Sequence, residues 1–204
     1  MNRDILAPKV ESNLIEQAKE ELGIKKSDFV IGAFNRMEKY SEPFLDLLCR
    51  LLDKDNRIKV IIAGPNEQKK VSMKLKKFID SGRVLILGPV DVNIIGNCID
   101  LGVDTFPLHS GYSVLELMAK NIPVISKKDE SLGSQINDRF PETLKTEESE
   151  LESLVIGMLN DPLLLESYKK KTDNFMKTHD KSNQFLKALD ERVNILKRNK
   201  EQLI

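Results

Sequence analysis

Between residues 29 and 126, short apolar runs alternate with helix-forming stretches. This alternation constrains the fold more than any other feature of the chain. The runs are Phe29–Phe34 (FVIGAF), Ile58–Ala63 (IKVIIA), Val84–Leu87 (VLIL), Leu101–Val103 (LGV) and Val124-Ile125. The second shows no polar alternation after Lys59, as expected of a strand covered on both faces. Five strands joined by short helical connections predict a parallel sheet with helices on both sides. The expected fold class is therefore α/β, a three-layer domain with a mostly parallel sheet, followed by C-terminal helices.

Capping and breaking residues set the element boundaries. Residues 1–11 read as an extended lead-in, with Pro8 opposing an early helix. Ser12–Leu22 reads as a helix with Gly23 as its C-terminal cap. Ser41 can cap the next helix, with Pro43 in its first turn. That helix runs to about Lys54, and Phe44, Leu47, Leu48, Leu51 and Leu52 form its apolar face. Glu67–Asp80 reads as a basic amphipathic helix whose lysines make a solvated face. Val92–Ile99 is a shorter helix, and Ser113–Lys120 carries Val114, Leu117 and Met118 at helical spacing. Thr146 can cap a helix over Glu147–Leu159, and Asp161-Pro162 starts another. Asn183–Leu203 reads as a long helix, polar nearly all round in its last third, either packing on a partner or fraying. The expected division is residues 1–28 as lead-in and helix, 29–160 as the α/β body and 161–204 as a helical extension.

Composition narrows the function classes. The chain has 204 residues, enough for a real core, with 40% hydrophobic and 31% charged. Thirty-two basic residues balance 32 acidic ones, so no global field draws nucleic acid or an anionic membrane. Cys49 and Cys98 lie in apolar helical patterns without zinc spacing and read as buried free thiols of a reducing compartment. No signal-like stretch opens the sequence, and no run is long enough to span a bilayer. A cytoplasmic protein without membrane insertion is expected.

The groups that could do chemistry gather at strand ends. The stretch Asp104–Ser126 (DTFPLHSGYSVLELMAKNIPVIS) reads as strand end, tight turn, helix and strand. In an open parallel sheet, ligands bind where strands end and helices begin. The helix start near Ser113 offers unpaired N–H groups to an anion. Ser113 and Glu116 equally fit a capping box that satisfies the helix without a ligand. Asn35-Arg36 and Lys39 follow the first strand, where two cations suit a pyrophosphate, and are otherwise ordinary surface charge. His109 could donate to phosphate or move a proton, or stand by in its loop. Asp104 could act chemically at its strand end or brace the turn that follows. Neither G-x-x-x-x-G-K-S/T nor G-x-G-x-x-G occurs, so a P-loop enzyme and an ordinary dinucleotide dehydrogenase are disfavoured. Ser110 and Ser113 lack a nucleophile-elbow context.

Three stretches, FNRMEKYSEPFLDLLCRLL, RVLILGPVD and VDTFPLHSGYSVLELMAKNIPVIS, resemble the C-terminal, donor-binding domain of GT-B glycosyltransferases. The likeness is to the O-linked N-acetylglucosamine transferase family and its bacterial relatives, over about residues 29–175. Phe34-Asn35 with Lys39 resembles the family's Phe-Asn and lysine after the first strand. Asp104-Thr105 and Ser110-Gly111 resemble its Asp-Thr and Gly-rich turn, and Glu116 its acidic residue in the following helix. Asn121-Ile122-Pro123 matches its Gly-x-Pro, with Asn in place of Gly. The chain departs from the family at Gly111-Tyr112-Ser113, where His-Thr-Thr is usual, and at Asn93, where a lysine is usual. Leu108 stands where the E-x7-E relatives carry glutamate.

The resemblance implies a Rossmann-like domain that binds a nucleotide sugar, a UDP-linked one, with no metal or other cofactor. It implies that Lys39 and Arg36 steady the leaving diphosphate as catalytic groups. It also implies that Gly111, Tyr112 and Ser113 present donors to the diphosphate, that Glu116 accepts from the ribose, and that Pro89 and Val90 hold the base edge, with Asn35 and His109 among the nucleotide-sugar-binding residues. Such an enzyme needs an N-terminal acceptor domain, in the same chain or from a partner chain, and the sequence holds only the donor half. Transfer of a sugar to a protein or glycan acceptor is the activity implied, with the isolated chain inactive. Two other readings stay open: a degenerate, non-catalytic scaffold or binding module, and another GT-B class such as a nucleotide-sugar epimerase.

Overall fold

A computed structural model describes residues 3–128 and 144–179. The expected helix over Asn183–Leu203 lies outside the described residues.

Five strands form as the apolar runs predict: β1 (Phe29–Phe34), β2 (Ile58–Ala63), β3 (Val84–Leu87), β4 (Leu101–Val103) and β5 (Val124–Lys127). A sixth, β6 (Lys145–Thr146), adds an edge. It is too short for a periodic signal, and Thr146, expected as a helix cap, lies in it. The order is β3-β2-β1-β4-β5-β6, and every pairing is parallel. β1 pairs with β2 over its whole length, Phe29 against Ile58 through Phe34 against Ala63. The order in which strands are added reverses between β1 and β4, which opens a crevice at their carboxyl ends.

The helices are α1 (Arg3–Leu6), α2 (Ser12–Glu21), α3 (Glu42–Lys54), α4 (Lys69–Lys74), α5 (Lys76–Asp80), α6 (Val92–Ile95), α7 (Tyr112–Ala119), α8 (Glu148–Asn160) and α9 (Pro162–His179). Two cores flank the sheet. One joins α3 and α8 to the inner side chains of β1, β2 and β4; the other joins α7 and α9 to the opposite side chains. Phe44 anchors the first, edge-on to Phe106 with centroids 5.6 Å apart.

Several boundaries differ from expectation, each for a local reason. Arg3–Leu6 is helical rather than extended: Arg3 bonds the Ala119 carbonyl (2.9 Å) and Asp173 (2.7 Å), and the helix stops short of Pro8. The expected Glu67–Asp80 helix breaks at Leu75, whose side chain is fully buried. The Val92–Ile99 stretch is an α-turn followed by a 3-10 turn over Gly96–Cys98. Asn121, the residue in place of the family glycine, adopts φ 62°, a left-handed conformation that asparagine tolerates. Lys59 does not disturb β2 because its ammonium caps α2, donating to the carbonyls of Leu22 (2.8 Å) and Gly23 (2.7 Å). Burial holds its pKa below the usual lysine range.

Candidate functional site

A cavity of about 330 Å³ opens at the carboxyl ends of β1, β2 and β3. Its apolar lining is Phe34, Ala63, Pro65, Pro89, Val90 and Val92, and its polar lining is Asn35, Arg36 and Lys39 with Ser113 of α7. Apolar surface and cations in one cavity suit a ligand that carries both a flat ring and negative charge. Two larger concavities, about 590 Å³ over α4 and about 830 Å³ beside α2, are lined mainly by charged surface side chains.

The turn after β1 carries the cations, and Tyr40 holds it in place. The buried Tyr40 hydroxyl donates to the Ala33 carbonyl (2.7 Å) and accepts from the Asn35 N–H (3.2 Å). The Asn35 amide donates to Ser110 Oγ at 2.6 Å, and Lys39 Nζ donates to the His109 carbonyl at 2.6 Å. Partial burial lowers the Lys39 pKa; Asp104 opposes that shift and Arg36 adds to it. The Arg36 guanidinium is exposed at the cavity mouth.

The turn after β4 is braced from within. Asp104, 2% exposed, accepts from the Ser110 N–H through Oδ1 (2.8 Å), and its Oδ2 lies 2.8 Å from His109 Nδ1. Ser126 of β5 donates to the same Oδ2 (3.1 Å). Of the two roles weighed for Asp104, the geometry is that of the brace.

The predicted residues therefore separate. Asn35, Arg36, Lys39, Pro89, Val90 and Ser113 line one cavity. His109 does not: its ring packs inward against Asp104 and Ser126. Gly111 holds the N-cap position of α7 beside the cavity, and Tyr112, 78% exposed, points away from the core. Glu116 sits half-buried on α7, outside the cavity lining. The Ser113–Glu116 capping box is not formed, because the helix begins one residue earlier and has no side-chain cap. Sequence reasoning missed Tyr40, Ser126 and the cavity-lining Gly64. Gly64-Pro65 is visible in the sequence only as the breaker after β2. Among the described residues, no group of three or more His, Cys, Asp or Glu side chains could hold a metal ion.

The sequence matches no family model and no curated protein. Solved structures do match. The HepE protein of Anabaena, solved in complex with UDP, superposes with a TM-score of 0.72 at 15% identity, over 94% of this chain and 56% of its own. A glycosyltransferase from Rickettsia africae gives 0.70 at 18% identity, over 97% and 56%. The C-terminal domain of a group 1 family glycosyl transferase (LpcC) from Francisella tularensis gives 0.65 at 16% identity, over 88% of this chain and 97% of that domain.

The fold is that of a GT-B glycosyltransferase C-terminal domain.

An O-GlcNAc transferase of Thermobaculum terrenum shares this fold with a TM-score of 0.65 at 19% identity, over 86% of this chain and 37% of its own. This chain spans about half the length of the HepE and Rickettsia structures. No helix among the described residues of this GT-B-type domain is long and apolar enough to cross a membrane.

Proposed function

We propose that this chain is the nucleotide-sugar-binding half of a glycosyltransferase, that its donor is UDP-linked, and that it transfers sugar only when an N-terminal acceptor domain or partner chain completes it. The observation that carries this reading is the cavity at the β1 carboxyl end. There Arg36 and Lys39 share one cavity with the apolar Pro89, Val90 and Val92, close to the point where strand order reverses. The base would lie against the apolar lining and the diphosphate against the cations. As the sugar–phosphate bond breaks, negative charge grows on the leaving diphosphate, and two cations at the cavity stabilise that charge more than the ground state. The UDP complex of HepE, which shares the fold, supports a uridine nucleotide. The reading assigns no metal to this role. It leaves His109, Tyr112 and Glu116 off the cavity wall, so their nucleotide roles would need a ligand that reaches past it.

Calorimetry of the chain with UDP, and GDP as the control, tests this. UDP should bind in the micromolar to millimolar range. Arg36→Ala with Lys39→Ala should weaken it by about a hundredfold, from two charge-assisted contacts. Unchanged affinity in the double variant would remove the site assignment. No binding of either nucleotide would favour a scaffold module, a reading to which the outward-facing Tyr112 also leans.

A further inference from the structure

Asn35 and Lys39, the amide and the ammonium that line the cavity, reach across to a second turn. They end on consecutive residues there, Lys39 on the His109 carbonyl and Asn35 on the Ser110 hydroxyl. Both of those residues are held by one carboxylate: Asp104 takes the Ser110 N–H on one oxygen and the His109 ring on the other. Ser126, from the neighbouring strand, donates to the oxygen that holds the ring.

We propose that Asp104 and Ser126 are positioning residues of the nucleotide site: they fix the 109–110 turn on which Lys39 and Asn35 dock, and so set where the ammonium meets the ligand's phosphates. This rests on the nucleotide reading above. The brace is buried and preorganised, since Asp104, Ser110 and Ser126 are each 2% exposed or less. A carboxylate in that place does two things. It fixes geometry through three hydrogen bonds, and its charge acts on Lys39 through space. The charged groups acting on Lys39 are Asp104 from the end of β4 and Arg36 from its own turn; His109 meets it through its backbone carbonyl. Asp104 favours the charged ammonium; Arg36 and burial disfavour it. Neutralising Asp104 should therefore move the Lys39 titration to lower pH. A brace that served only to hold the fold would lower the melting temperature and leave the Lys39 resonance in place when Ser126, which carries no charge, loses its hydroxyl.

The test uses the full chain with Asp104→Asn and Ser126→Ala. Lys39 is followed by NMR of the lysine side chains in the nucleotide-free protein, assigned through Lys39→Arg. In Asp104→Asn its titration midpoint should fall below that of the wild type. In Ser126→Ala, which keeps the carboxylate, its resonance should shift. Calorimetry should show UDP binding weakened about tenfold by Asp104→Asn and about threefold by Ser126→Ala. A Lys39 resonance unmoved in Ser126→Ala overturns the proposal, whether or not Asp104→Asn folds and whatever its lost charge does to the midpoint. A wild-type chain that binds no UDP removes the nucleotide reading instead, and the Lys39 measurements still decide the positioning role.

Discussion

At Gly64, a missing side chain keeps two loops of the site together. Its φ is 152°, and a Cβ there would stand 1.8 Å from the Asn35 carbonyl oxygen. That oxygen belongs to the turn that carries Arg36 and Lys39, so any side chain at 64 must push the turn away. Gly64→Ala should cost about 1–3 kcal/mol in urea unfolding and weaken UDP binding. Wild-type stability in that variant would show that the contact relaxes freely. The cations themselves were legible in the sequence, because a charged pair directly after a buried strand has few places to go. Tyr40 was not legible: a tyrosine at a helix approach looks like any core aromatic, and only the folded chain shows its hydroxyl bridging Ala33 and Asn35.

Whole elements were read more securely than single contacts. β1, β2, β3 and β4 stand within the expected bounds because β-branched and aliphatic runs, cut off by Asn, Gly-Pro or Asp, leave little choice. Prediction failed where tertiary contacts outweighed local preference, as in the break at Leu75 and the helix at Arg3–Leu6. α3 shows how one residue can serve an element and its neighbour together. Ser41 accepts from the Phe44 N–H (3.3 Å) as the expected N-cap, and its hydroxyl also donates to the Phe106 carbonyl (2.5 Å) in the turn after β4. Ser41→Ala should therefore cost about 1–2 kcal/mol, toward the upper end for a simple cap. Chemical denaturation measures this, and a loss of only a few tenths would mean that the Phe106 bond contributes nothing.

At the scale of the molecule, the two ends of the sheet carry different chemistry. The carboxyl ends hold the cations and the braced turns. The opposite end holds Asp100, which accepts from the Val30 N–H at 2.8 Å. Burial raises its pKa, and the Val30 bond, Lys169 and Lys19 only partly oppose that. The folded chain therefore binds this proton more tightly than the unfolded one. The stability Asp100 contributes is present in acid and is lost as pH rises through its folded pKa. Asp100→Asn stays neutral throughout, so its stability relative to the wild type should grow from pH 4 to pH 8. Urea unfolding at the two values measures the difference, and a difference independent of pH would show that the carboxylate is not desolvated.

The sequence by itself determined the alternation of strands and helices, the boundaries of most strands and the cations after β1. These follow from local propensity and from the need to bury apolar runs on both faces. Tertiary structure alone decided which turns meet at the site. Asn35 finds Ser110 across 75 residues and Lys39 finds His109 across 70, separations over which no local pattern carries information. It also set Ser126 of β5 beside Asp104 and the inward-turned His109 ring, since the pairing of β4 with β5 brings that hydroxyl to a buried carboxylate that needs partners.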